Sequence, residues 1–407
     1  LKRALAPTTF LFRALLGIIA ATQALGSTII LPAMPAVAAY FGTGAAQAQS
    51  TIGGFLLGVA AGQIFWGAMA DRFGRRPVML AGLALFSAAG LLAALSPSIG
   101  ALFAFRALQG VGGAAGMIVG RSIVRDLFQQ QDAIKNMSFI GSVTSLMPLV
   151  APLVGGLLLN LFSWRGVLVF LSLLAAGSLA AAWVYMGESI RQRDPEATNP
   201  RRIGANIATF LTTPSCVWLT LVMVLIYGGM MSVMSTLPYT VIEVFGVPSL
   251  HAGWFIGAQS MAAFGGTRLA SRLADRWKPS QSMAAAIGLA AGSSLFLLAV
   301  ATSGLRGPWA LALLMAPILS YGVAFAILQG NLIVAILQPV PRMAGMASAM
   351  AGSFQMAGGG LFVAFAGVMF DGTPSALGYA MALGGLGGTA AYVFAGRRYA
   401  VGAARRS

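Results

Sequence analysis

The stretch ADRFGRRPVML (70–80) sets Asp71, Arg72, Gly74, Arg75 and Arg76 between two long apolar runs. So compact a charged cluster is out of character with the rest of the chain. The 407 residues are 58% hydrophobic and only 8% charged, against about 25% charged in soluble domains. Mean hydropathy is +0.84. Too few charges are available to cover a water-soluble fold of this length. The apolar residues come instead in blocks of about 18–27, long enough to cross a bilayer as helices. Barrel strands would alternate over about 10 residues, and these blocks do not. The fold class is therefore all-α membrane.

Twelve spans are predicted: 14–37, 48–70, 78–95, 101–122, 138–160, 166–187, 215–241, 252–270, 283–302, 308–335, 343–369 and 376–395. Breakers such as SPS (96–98), SGLRGP (303–308), QPVPR (338–342) and DGTPS (371–375) separate them. Alternate connections then hold very unequal charge. One side carries 22 basic residues, among them Lys2, Arg3, Arg72, Arg75, Arg76, Arg125, Arg191, Arg342, Arg397, Arg398, Arg405 and Arg406. The other carries two, Arg165 and Arg306, and Arg106 falls inside a span. The positive-inside rule puts the basic side and both termini in the cytoplasm, which makes this a multi-pass protein of a bacterial inner membrane. The net charge of +16 is thus a topology signal, and no nucleic-acid partner is expected. The first apolar run is long enough to remain as a span, so no cleaved signal peptide is expected.

The stretch ESIRQRDPEATNPRRIGAN (188–206) divides the spans six and six. It predicts an N-terminal bundle over 1–187, a cytoplasmic linker over 188–213 and a C-terminal bundle over 214–407. The halves echo each other. LPAMP (31–35) matches LPYT (237–240), and MADRF (69–73) matches LADRW (273–277), at offsets of 206 and 204 residues. An even span count gives both repeats one orientation, so their pseudo-two-fold axis lies along the membrane normal. Two six-helix bundles about a midplane cavity is the architecture of the major facilitator transporters.

The opening cluster then lies in the short turn between spans 2 and 3. Gly67 and Gly74 permit close packing and a tight reversal. Arg72, Arg75 and Arg76 are expected to meet the cytoplasmic headgroups. A topology signal needs no acid, so Asp71 points to a pairing with a neighbouring arginine or to a helix N-terminus. As G-x-x-x-D-R-x-G-R-R-P the string resembles the loop signature of the major facilitator superfamily. That resemblance implies a cytoplasmic gate with Arg125 and Asp126 as partners and Asp275 as the second-half counterpart.

Two further strings narrow the resemblance. In FRALQGVGGAAG (105–116), Arg106 sits inside a span, where a charge costs about 2.5–3.5 kcal/mol on insertion scales. Arg106, Gln109 and Gly110 are similar to the R-x-x-Q-G signature of drug:proton antiporters, which implies a link to proton transfer. LMPLVAPLVGGLL (146–158), with Pro148, Pro152, Gly155 and Gly156, resembles the antiporter signature in the form of the bicyclomycin/chloramphenicol-resistance (Bcr/CflA) branch. Glycines at four-residue intervals, Gly54, Gly58 and Gly62 in span 2 and Gly112, Gly116 and Gly120 in span 4, let helices approach closely.

One position departs from the pattern. In STIILPAMP (27–35), Thr28 stands where relatives often place an aspartate. All nine acids fall in loops or at span edges, Glu243 and Asp371 on the outer side. Arginine does not change protonation at working pH, so Arg106 alone cannot carry a proton. The expected cavity residues come from spans 1, 7, 10 and 11: Gln23, Tyr227, Met230, Met231, Met234, Tyr321, Gln329, Asn331 and Gln355. With Arg106 and no interior acid, the cavity should prefer neutral or anionic solutes.

One histidine and one cysteine leave little for metal binding or nucleophilic catalysis, and no nucleotide-binding loop is present. The expected activity is export of small amphipathic molecules in exchange for protons, by a monomer with no cofactor, metal or enzymatic activity. The alternative is a proton-independent facilitator or importer of a neutral or anionic metabolite. Its partners in either case are the solute and the lipid bilayer.

Overall fold

The computed structural model describes residues 5–404 except positions 8, 129, 191 and 306. Lys2, Arg3, Arg191, Arg306, Arg405 and Arg406 of the charge count lie outside the described residues, as do the side chains of Arg342, Arg397 and Arg398.

Among the described residues, eleven helices are long and apolar enough to cross a membrane. In the N-terminal half these are span 1 (Phe10–Phe41), span 2 (Ala45–Phe73), span 3 (Arg75–Ala94), span 4 (Ile99–Leu127), span 5 (Gln130–Leu161) and span 6 (Trp164–Tyr185). In the other half, span 7 (Pro214–Tyr239) is followed by span 8 (Ser249–Ala274), span 9 (Pro279–Thr302), span 10 (Pro308–Leu337), span 11 (Ala344–Met369) and span 12 (Ser375–Ala404). Span 8 is the twelfth. It is helical for 26 residues, about 39 Å, but falls below the others in apolar character because it carries His251, Arg268 and Arg272. It is sandwiched between spans 5 and 10.

The helix ends follow local chemistry. Thr9 and Ser98 cap spans 1 and 4 by accepting from the backbone N–H of Phe12 and Ala101. Prolines open spans 7 and 9, where a missing N–H is harmless. Span 1 was read as one helix but breaks after Thr28 into a 3-10 turn over Leu31–Ala33. Pro32 and Pro35 supply no N–H at that point, so the α-helical ladder cannot run through it. The 188–213 linker also holds structure that its polarity hid, a helix over Pro200–Thr212 capped by Asn199.

The small residues set the packing of spans 2 and 4. A Cβ on Gly58 or Gly110 would run into the carbonyl of Ala107 or Phe55, and one on Gly62 would stand 2.7 Å from the carbonyl of Val111. The second glycine series turns elsewhere, Gly112 to span 3 and Gly116 to Ile19 of span 1. Two six-helix bundles result, and their contacts are uneven. We call the end holding the 2–3 turn and the linker the basic face. At the opposite face Tyr239 donates to the Met34 carbonyl at 3.0 Å, which joins the two repeated motifs LPAMP and LPYT. Ser235 and Thr236 donate to Gln49 at 3.2 and 3.4 Å, and Gly53 abuts the Gly360 carbonyl. Farther toward the basic face Ser353 donates to the Ala60 carbonyl at 2.8 Å, and a Cβ on Gly141 of span 5 or Gly265 of span 8 would meet nothing within 4 Å.

Candidate functional site

Three groups of residues emerge, at different depths. The deepest surrounds Arg106, the eighth residue of span 4 and about 10 Å from its end. It is 0% exposed, so it does not snorkel to the surface. Its Nη1 donates to Gln109 Oε1 at 2.5 Å and its Nη2 to the Gly26 carbonyl at 2.6 Å. The guanidinium lies 4.3 Å from the centre of the Phe55 ring. A Cβ on Gly26 would press against that ring at 2.6 Å, so glycine is needed for the ring to reach its place. Gly110, one residue past Gln109, lets span 4 close on Phe55. The spacing R-x-x-Q-G thus builds one object: a cation, its acceptor one turn on, and the gap admitting the neighbouring helix. Arg106 Nε and Gln109 Nε2 are buried without protein partners. Among the described residues no carboxylate pairs with Arg106.

The second group joins spans 5 and 8. Pro152 has no N–H, which frees the Pro148 carbonyl one turn back. The Ser260 hydroxyl of the opposite bundle donates to that oxygen at 2.7 Å. A Cβ on Gly253 would stand 2.7 Å from the Pro152 carbonyl, and Gly155 fits against the Ile29 carbonyl where span 1 breaks. Gly156 faces Leu250 with room to spare. The proline–glycine string therefore acts at the seam between bundles, and Ser260 completes it.

The third group is the 2–3 turn at the basic face. Arg75 is buried and does not meet headgroups as its position in a loop motif suggested. Its Nη1 pairs with Asp71 at 2.5 Å and its Nε with Asp126 at 2.9 Å. Asp126 is the more enclosed acid, 18% exposed against 46% for Asp71. Of the two roles expected for Asp71 it takes the pairing with a neighbouring arginine, and Glu188, which opens the linker, takes the helix N-terminus. Its carboxylate accepts from the backbone N–H groups of Arg75 and Arg76 at 2.9 and 3.3 Å. Gly74 is required by its φ of +111° and by the Glu188 carboxylate lying where a Cβ would go. Gly67 is not, since the nearest atom to its Cβ is 4.0 Å away. Arg72 donates to Thr198 of the linker. Arg125 is exposed, and neither it nor Asp275 enters an ion pair among the described residues. The second-half motif is thus present in sequence but not assembled.

The expected cavity residues separate. Gln23 and Tyr227 both donate to the Met356 sulfur, at 3.8 and 3.5 Å, a tie from span 1 through span 11 to span 7. Gln259 donates to Met230, and Gln329 and Gln355 exchange hydrogen bonds at 2.9–3.2 Å. Met231 is half-buried beside Gly359, while Met234 is buried and Asn331 bonds its own helix at Ile327. Tyr321 is not at a cavity wall. It is wholly buried and donates to the Ile226 carbonyl, holding span 10 to span 7. Thr28 is spent on the Ala24 carbonyl of its own helix. Glu243 is exposed beyond span 7, in no ion pair with Arg106. The reading missed Phe55, Glu188, Ser260 and Met356. Glu188 carried a signal, an acid directly after a span and before a basic run; the others look like ordinary apolar or small residues.

The Major Facilitator Superfamily model matches residues 16–363, and the chain belongs to that family of transporters. It is 28% identical over 361 residues to the Bicyclomycin resistance protein homolog of Haemophilus influenzae, covering 87% of this chain and 88% of that protein. It is also 28% identical over 378 residues to Multidrug resistance protein D of Escherichia coli, covering 91% and 92%. Among solved structures, the D-xylose-proton symporter superposes with a TM-score of 0.74 at 18% identity, over 95% of this chain and 97% of that one. A bacterial homolog of the human lysosomal transporter Spinster, captured inward-facing and unoccupied, gives 0.70 at 17%, over 95% and 96%. The fold is that of the superfamily, and the protein is a transporter and not an enzyme.

Proposed function

We propose that this chain exports small amphipathic, drug-like molecules across a bacterial inner membrane in exchange for protons, acting as a monomer. The basic face is cytoplasmic on this reading, as are both termini, and residues 1–187 and 214–407 move as the two bundles. The observation that carries it is the uneven seam. Polar contacts between bundles gather at the face away from the basic loops, where Tyr239 holds Met34 and Ser235 and Thr236 hold Gln49, and farther in where Ser260 holds Pro148. A solute would enter from the cytoplasm and leave when the seam opens. Two relatives spanning most of the chain are named for resistance to bicyclomycin and to multiple drugs, which supports the outward direction. One proton crossing 100 mV supplies about 2.3 kcal/mol. The test is transport in proteoliposomes with the pH gradient intact and collapsed, after a susceptibility panel in an efflux-deficient host has supplied a substrate. Accumulation that survives collapse would reject proton exchange.

A second reading, a proton-independent facilitator or importer of a neutral or anionic metabolite, is favoured by Arg106 having no acidic partner among the described residues. Both readings share a selectivity. A fixed positive charge without an interior carboxylate disfavours cations. The wild type should export quaternary ammonium compounds weakly, and Thr28→Asp should raise that efflux several-fold. Strong wild-type export of a quaternary ammonium ion would refute the selectivity.

A further inference from the structure

Two apolar grooves of about 620 Å³ each run along the outside of the helices. One lies between spans 3 and 6, lined by Leu80, Ala81, Ala84, Ala176, Leu179 and Trp183 among others. The second lies between spans 11 and 12 and includes Met369, Tyr379 and Leu386. They are alike in size and apolarity and differ at their ends. Arg76, one helical turn before Leu80, stands just beyond the lining of the first, against Trp183. Arg76 Nη2 donates to the Trp183 carbonyl at 2.7 Å, and its guanidinium lies 5.5 Å from the Trp183 ring. Nη1 has no partner among the described residues, and no acid pairs with this arginine. The second groove has no cation in its lining and ends two residues from Asp371.

Trp183 is 64% exposed beside an arginine at a helix end, which fits the level where hydrocarbon meets headgroups. Arg75, the neighbouring cation, is consumed by Asp71 and Asp126, so of these two adjacent arginines Arg76 is the one beside the groove. Arg76 and Ala84 lie about 12 Å apart along span 3, parallel to an acyl chain. We propose that this groove binds one anionic phospholipid, its phosphate on Arg76 and one acyl chain along Leu80, Ala84 and Ala176. The charge selects the occupant: an apolar groove alone takes any lipid tail, and the cation with no acid partner favours a net-negative headgroup.

The test is native mass spectrometry of the purified full chain, equilibrated with phosphatidylglycerol and phosphatidylcholine of matched acyl chains. Wild type should retain one phosphatidylglycerol with about fivefold preference, the gain expected of one basic residue at a membrane surface. Arg76→Gln should bring the ratio near unity. Ala84→Phe should displace the retained lipid while leaving the charge cluster intact, so it decides the matter even if Arg76→Gln unsettles the turn. Leu386→Phe in the second groove should leave the preference unchanged. Equal retention of both lipids by wild type would overturn the proposal, and so would an unchanged preference in Ala84→Phe.

Discussion

Arg106 is held by two charge-assisted hydrogen bonds and a ring face, and each contact needs the planar guanidinium. A lysine ammonium is a compact point charge and cannot span Gln109 and the Gly26 carbonyl together while lying over Phe55. Arg106→Lys should therefore keep the charge yet lower the transport rate at least about tenfold, since each such hydrogen bond is worth about 1.5–3 kcal/mol. Normal protein levels with wild-type transport in that variant would show that charge alone suffices. At the far face, Asp371 illustrates the opposite case. The Thr373 hydroxyl donates to its carboxylate at 2.5 Å and holds the carboxyl below the ordinary range. A lowered value keeps the group ionised at every pH where a cell works, so it does not load and release protons there. The pH dependence of transport in Asp371→Asn should accordingly overlay that of wild type between pH 5.5 and 8, as read from rates across that range (about two and a half pH units, all above an ordinary carboxylate).

At the scale of elements, spans 5 and 8 show how a helix break becomes a joint. Pro152 removes a donor, the Pro148 carbonyl is left free, and Ser260 answers it from the other bundle. The bond ties the two bundles to each other in the state seen here. Ser260→Ala should cost the closed form about 1 kcal/mol and shift the population roughly fivefold toward the form open at the far face. Distances between spin labels placed on spans 5 and 8 would report it; an unchanged distribution would mean that the bond contributes nothing to closure. The 2–3 turn works differently. Arg75, Asp71, Asp126 and Glu188 all belong to the N-terminal half or the start of the linker. They brace that bundle and its linker, and among the described residues no ion pair joins them to the C-terminal half.

For the whole molecule, the two halves meet closely along the seam between spans 2 and 11. Gly53 and Gly360 meet backbone to backbone: a Cβ on Gly360 would lie 2.9 Å from the Gly53 carbonyl. Gly360→Val should disfavour the state seen here by about 1–3 kcal/mol through overpacking, without harming either bundle alone. The expected readout is a cysteine at the far face that becomes more reactive to a membrane-impermeant thiol reagent, while detergent-solubilised protein stays folded. A loss of folded protein would mean that the contact belongs to bundle stability and not to gating. The linker ties the halves as well, through Arg72 to Thr198 on one side and a Phe210–Phe354 stack at 6.4 Å on the other.

The sequence by itself determined what depends on composition and chain-local periodicity. Runs of apolar residues fixed the helices, because an unpaired backbone cannot cross hydrocarbon. The repeated LPAMP/LPYT and ADR strings gave two related halves, and R-x-x-Q-G, P-x-x-x-P and Asp71 marked three places where side chains gather. Even so, residue type did not reveal role. Arg75 and Arg76 are adjacent and alike, yet one is buried between two carboxylates and the other faces outward. Tyr321 and Tyr227 read the same, but only Tyr227 reaches the interior sulfur of Met356 while Tyr321 packs two helices together. Asp275 copies Asp71 in its motif and enters no ion pair among the described residues. These outcomes were decided by the tertiary structure, because which face of a helix meets a partner depends on neighbours 80–200 residues away. Ser260 meets Pro148, Glu188 meets Arg75 and Arg106 meets Gly26 only after the chain has packed.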